Sequence, residues 1–282
     1  MSTATIDWLD LDVPERVVFE RSPLVLAVCQ VKFSPMLSVS NPTAVAPFQQ
    51  VIMDQYPLAS QQQEQNVKIH VEGNPDFNQA SVQSSLGAIA WRFGDLEDTW
   101  TVVLTPEFLT LETRVYRDFS DFVDRMARLL GALDKTIHPT VGLRIGLRYV
   151  NEIRLSKNEW RTAIRSDLLG TLAVPQFGDA VKQSFQHMQF VGPNGILVNM
   201  QHGLFPTGTI VDPRPDEVSP DGPFYLVDID VYQEFKPGSL SMKPRAILDY
   251  VWQYHEVVSR LFRWSVTEDY TTTQGRVSDG SG

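Results

Sequence analysis

The chain has 282 residues, 43% of them apolar and 21% charged, which excludes a disordered chain, a collagen-like chain and a coiled-coil rod. Its 24 basic and 34 acidic residues leave a net charge of −10, which opposes non-specific attraction to nucleic acid or to an anionic membrane surface. A single cysteine, Cys29, excludes an internal disulfide and a multi-cysteine metal site and suits a reducing compartment.

In chain order, residues 1–22 read as an N-terminal extension. Asp7, Asp10 and Asp12 stand where a signal peptide would carry a basic start and an apolar core. The longest apolar run, 24–29, has six residues, far below the ~20 that cross a bilayer, so a cytoplasmic location with no membrane partner is expected. A strand-like run follows over 24–33. Phe48, Val51, Ile52 and Tyr56 then sit at offsets 0, 3, 4 and 8 in a short helix ended by Pro57. Further strands fall at about 67–72, 86–93, 100–104 and 109–116. The strongest helix covers 119–133, with Phe119, Phe122, Val123, Met126, Leu129, Leu130 and Leu133 on one stripe and Asp118 or Ser120 as its cap.

The second part of the chain repeats this order. A strand at 141–153 precedes a short helix in which Trp160, Ala163, Ile164 and Leu168 again take offsets 0, 3, 4 and 8. Strands follow at about 183–191, 196–202 and 224–235. A long helix at 246–264 places Ile247, Tyr250, Val251, Tyr254, Val257, Val258 and Leu261 at the offsets of the first long helix. The pattern predicts an α+β fold with an internal duplication, 23–140 and 141–264, joined tightly through 134–140 into one compact unit. Helices on one side of a curved antiparallel sheet give it a TATA-binding-protein-like topology. Five prolines make 205–223 a long loop, and 265–282 reads as a flexible tail.

Alternation selects the candidate site. In the 141–153 strand Leu143, Ile145, Leu147 and Tyr149 share one face, and Arg144 and Arg148 the other. The same treatment puts Glu112, Arg114 and Tyr116 opposite Leu109, Leu111 and Val115, Arg92 opposite Trp91 and Phe93, and Asp228 and Asp230 opposite Val227 and Ile229. One open sheet face would then carry Arg92, Glu112, Arg114, Tyr116, Arg144, Arg148, Asp228 and Asp230. Such a face serves as cross-strand charge pairing, or as a polar groove for a partner or an anionic ligand.

Leu111-Glu-Thr113 with Tyr116, a Phe-rich helix, and Arg144-Ile-Gly-Leu-Arg-Tyr-Val-Asn151 resemble a sporadically distributed, uncharacterised prokaryotic protein family; 23–24 and 91–93 fit the same picture. The resemblance spans about 23–264. It implies a bacterial cytoplasmic setting and a mobile or defence-associated gene context, and it transfers no active site.

No nucleophile elbow, phosphate loop, dinucleotide fingerprint or metalloprotease helix occurs, so neither catalytic residues nor a cofactor are expected. Cys29 lies in an apolar strand, the setting of a small core residue. A turn at 192–195 brings His187 opposite His202 or opposite Met200, depending on its register; a third ligand with convincing spacing is missing, so no metal is expected. Three functions follow in order: a non-enzymatic binding protein with a protein partner from a neighbouring gene; a module for a small anionic ligand or nucleotide; and an enzyme with an unrecognised site built from these arginines and acids.

Overall fold

A computed structural model describes residues 11, 17–19, 22–71, 80–155, 159–174, 176–177, 180–211 and 221–277. After a short strand β1 (Val17–Phe19) come β2 (Leu24–Phe33), α1 (Pro42–Ile52), β3 (Leu58–Val71), β4 (Ala80–Gly94), β5 (Trp100–Leu104), β6 (Phe108–Thr113) and α2 (Phe119–Thr136). The chain continues through β7 (Gly142–Ile153), two single-turn helices α3 (Trp160–Ala163) and α4 (Ser166–Leu169), β8 (Gln186–Val191), β9 (Ile196–Phe205), β10 (Phe224–Glu234), α5 (Pro244–Ser265), α6 (Glu268–Gln274) and β11 (Gly275–Val277). The fold is α+β: nine antiparallel strands form an open sheet in the order β3-β4-β5-β6-β2-β7-β10-β9-β8, and β1 pairs with β11 apart from it.

The strand order follows from where the long helices send the chain. β2 and β7 lie side by side at the centre. Each also pairs with the last strand before a long helix, β6 for β2 and β10 for β7. Local chemistry sets the helix starts. The Asn41 side chain accepts from the Thr43 amide at 2.9 Å ahead of Pro42, and the Asp118 side chain accepts from the Asp121 amide at 2.8 Å.

Alternation decides which sheet face is covered. Cys29 and Val31 of β2, Ile145 and Leu147 of β7, and Val227 and Ile229 of β10 are all buried beneath Phe122, Met126, Val251 and Val258 of the helices. α5 packs on β7, β10 and α2, and α2 packs on α1. Within this layer burial pushes the Cys29 thiol up to about 12, so it remains a protonated core residue.

Several expectations need correction. The short helix of the second half breaks at Ile164, which turns extended to bridge Val266. Residues 265–277 are structured rather than a loose tail. Thr267 accepts the Tyr270 amide at the start of α6, and Tyr270 packs against Phe19 with ring centroids 5.7 Å apart. The β8–β9 turn holds four residues, 192–195, with Asn194 and Gly195 at φ 58° and 81°. It sets His187 opposite Gln201 and Gln186 opposite His202, so the two histidines occupy opposite faces. The middle of the proline-rich loop, 212–220, lies outside the described residues.

Candidate functional site

The sheet face away from the helices carries the predicted arginines, and it begins with β7. Because Ile145 and Leu147 are buried, Arg144 and Arg148 emerge on the far side, their Cα atoms about 13 Å apart for four residues of strand. Arg148 forks onto Asp228, with Nε to Oδ1 at 2.9 Å and Nη2 to Oδ2 at 2.7 Å. Register places Arg148 opposite Asp230, so this fork is diagonal. Arg144 reaches diagonally in the same sense, donating to Asp230 at 3.2 Å and to Gln30 at 3.2 Å, and it lies 4.4 Å over the Tyr232 ring. Gly146 makes this possible: a Cβ there would come within 3.0 Å of the Arg144 guanidinium. Burial raises the Asp230 carboxyl above its ordinary value, against the pull of Arg144 and Arg148.

Toward β3 the face opens into a hollow of about 660 Å³. Arg92, Glu112, Arg114 and Arg148 line it together, with Arg92 and Glu112 3.6 Å apart. Arg144, Asp228 and Asp230 are not part of its lining and continue the same polar face along β7 and β10. Two further carboxylates join from the β4–β5 turn, Asp95 and Asp98. Burial works against charge on Asp95, but the Thr99 hydroxyl and the amides of Thr99 and Trp100 all donate to it and hold it below the usual carboxylate range. The floor is apolar, from Leu26 and Val28. Leu26 and Val28 alternate with the buried Ala27 and Cys29, and Val28 pairs with Arg148, so both project onto this face. Beyond Arg148, Leu26, Val150, Phe224 and Leu226 form a small buried cluster of their own.

Tyr116 is the site residue that the structure moves elsewhere. β6 ends at Thr113, whose hydroxyl donates to the Thr99 carbonyl at 2.9 Å and accepts from the Val115 amide at 3.1 Å. The chain turns there, Val115 becomes half exposed, and Tyr116 packs on the helix side against Phe122 and Tyr149. Its hydroxyl lies 3.1 Å from that of Tyr149, which in turn lies 3.1 Å from His255 Nδ1.

Removing Arg148 should destabilise the protein by more than an exposed pair would. Asp228 is 4% exposed, and Arg148→Met strips its fork and leaves the carboxylate buried. A loss of about 2–3 kcal/mol is expected from urea unfolding, against ~1 kcal/mol for a surface pair. Arg148→Met with Asp228→Leu should recover most of it. A single-variant loss below ~1 kcal/mol would show that water already screens the pair.

No family model matches the chain, and no curated protein matches it. No helix among the described residues is long and apolar enough to cross a membrane.

Proposed function

We propose that the protein is a non-enzymatic binding protein whose open sheet face receives a polypeptide segment from a partner encoded beside it. One observation carries this reading: the hollow sets three guanidinium groups, Arg92, Arg114 and Arg148, among three carboxylates, Asp95, Asp98 and Glu112. A phosphate-bearing ligand calls for a surplus of positive charge, whereas a polypeptide presents both signs along with backbone donors and acceptors. The apolar floor of Leu26 and Val28 suits the side chains of such a segment. Asp228 and Asp230 are held by arginines, which favours binding over acid–base chemistry. The resemblance of about 23–264 to a sporadically distributed, uncharacterised prokaryotic family supports a bacterial cytoplasmic setting.

Purification of the tagged chain from its native host tests this. A stoichiometric polypeptide should be retained by the unaltered chain, cross-link to a photoreactive residue placed at Ser60, and be lost on Arg92→Glu. Recovery of a phosphate-bearing small molecule on the same face, and no polypeptide, would overturn this reading in favour of the anionic-ligand one.

We also infer that the two halves are copies of one unit, of TATA-binding-protein-like order. The central placing of β2 and β7 and the position of β6 and β10 beside them support it. In a crystal structure, superposing 23–133 on 141–264 should bring Phe119 and Ile247 onto equivalent positions. Helices that diverge under that superposition would refute the duplication.

A further inference from the structure

The nine-stranded sheet ends on β8, and among the described residues no strand lies beyond it. Natural edge strands are commonly guarded by lysine, proline, charge or a bulge. β8 has none of these. Residues 183–191 include no Lys, Arg, Asp, Glu or Pro, and the register with β9 is unbroken from Gln186 opposite His202 to Val191 opposite Leu197. Two large apolar side chains stand in the open along this edge, Phe185 at 51% exposure and Val191 at 72%.

Parity fixes which main-chain groups the edge offers. The Ser184 amide donates to the Leu204 carbonyl at 3.0 Å and the Gly192 amide to the Ile196 carbonyl at 2.7 Å, both across to the β9 side. In an antiparallel ladder successive residues turn their N–H and C=O to alternate sides. The even-numbered residues of this stretch therefore bond to β9, and Phe185, His187, Gln189 and Val191 turn their main-chain groups outward. Met188 and Phe190 pair with the buried Met200 and Val198, so they lie on the helix side of the sheet and the four outward residues carry their side chains on the open side.

We propose that β8 pairs antiparallel with β8 of a second copy of this chain, about a two-fold axis at Met188. That axis sets Phe185 of one copy opposite Val191 of the other, and His187 opposite Gln189. All four outward residues then meet outward residues, and each pair exchanges two N–H···O bonds, about eight in all. The two exposed apolar side chains cover each other at both ends of the pairing. An axis at His187 or at Gln189 would set Phe185 opposite Gln189 or Pro193 instead. A second copy is the occupant because a two-fold contact requires a self-complementary patch, which this strand provides. Two chains of net charge −10 repel over much of their surface, and 183–191 lets them meet where neither presents a carboxylate. On the helix side the half-buried Met188 and Phe190 close over their counterparts across the axis. The pairing is independent of what the open sheet face binds.

Sedimentation velocity of the full chain, diluted from about 100 μM to about 1 μM, tests the pairing. The unaltered chain should pass from dimer to monomer over that range. His187→Pro removes an outward amide that β9 does not use, so it should shift the equilibrium roughly tenfold or more toward monomer with the thermal midpoint nearly unchanged. Val191→Glu alters an exposed side chain and keeps the test valid should His187→Pro fold poorly; it should weaken the dimer by a similar factor. Met188→Cys reads the register, because residues facing each other in a non-hydrogen-bonded pair have Cα atoms about 4.5 Å apart, within disulfide reach. On mild oxidation it should cross-link two chains, whereas Val191→Cys should not; the native Cys29 is buried and takes no part. A chain still monomeric at about 100 μM, a dimer indifferent to both His187→Pro and Val191→Glu, or cross-linking through Val191→Cys rather than Met188→Cys would each overturn the proposal.

Discussion

Gly203→Ala should be among the most damaging single substitutions in the protein. At this position in β9 an added Cβ would lie 1.9 Å from the Ser184 carbonyl oxygen and 2.7 Å from its carbon, and φ is +153°. Both obstacles are backbone, so no rotamer change relieves them. The segment before β8 would have to lift. That breaks the Ser184 amide bond to the Leu204 carbonyl, 3.0 Å long, and separates Phe185 from Phe205, whose rings meet edge to face at 5.9 Å. The backbone clash, a lost backbone hydrogen bond and a lost aromatic pair together cost about 3–4 kcal/mol, which lowers the thermal midpoint by roughly 8 °C or more. Gly195→Ala is the control. Its φ of +81° is equally unsuited to a side chain, but nothing lies within 4 Å, so it should cost only about 1 kcal/mol. Equal midpoints for the two variants would refute the close approach.

Acid should unfold the protein partly through His202. This imidazole is wholly buried, and its Nδ1 lies 2.8 Å from the Tyr225 hydroxyl. Tyr225 already donates to the Leu168 carbonyl at 3.1 Å, so His202 Nδ1–H donates to Tyr225 and Nε2 is the bare nitrogen. Among the described residues no acceptor faces Nε2 for an added proton. Burial accordingly lowers His202 from 6.5 to about 4. Above about pH 6.5 the ring is neutral in both folded and unfolded chains and stability is unaffected. As pH falls from there to about 4, the unfolded chain takes up the proton first, and stability declines by up to about 3 kcal/mol. His202→Gln keeps a donor for Tyr225 and removes the titration. Its unfolding free energy, followed by urea between pH 7 and 4.5, should fall less than that of the unaltered chain by about 2 kcal/mol. Parallel curves would show that His202 already meets an acceptor.

The residues that alternation reads well are those whose strands run straight. Ile145 and Leu147 had to be buried, so Arg144 and Arg148 could be placed on the open face without knowing the strand order. Phe119 to Leu133 and Ile247 to Leu261 were equally plain, because a wide apolar stripe has few alternatives to a helix on a sheet. Tyr116 was misread because alternation was carried past Thr113, where two side-chain hydrogen bonds turn the chain. A strand-end threonine is a signal that could have found that break. Leu26 and Val28 were hidden because residues 24–29 are apolar on both faces, so alternation there has no polar side to mark the open face. Asp95 and Asp98 could have been suspected from a turn rich in carboxylates. The trio Tyr116, Tyr149 and His255 comes from three separate elements, so no spacing announces it. The C-terminal segment was misjudged from its polar composition, although the Val266 bridge to Ile164, the packing of Tyr270 on Phe19 and the pairing of β11 with β1 all hold it.

The central pairing of β2 with β7 also carries a consequence for biogenesis. β2 can pair with β6 once Thr113 has been made, but its other edge waits until Ile153, about 40 residues and several seconds of synthesis later at roughly 5–20 residues per second. During that interval a nascent chain presents an uncapped strand of ten residues, and the natural alternative to its own β7 is the β2 of a neighbouring nascent chain. Closely spaced ribosomes should therefore favour dimers paired through β2 over monomers. Slowed elongation between 114 and 153 lengthens the interval and should increase them further.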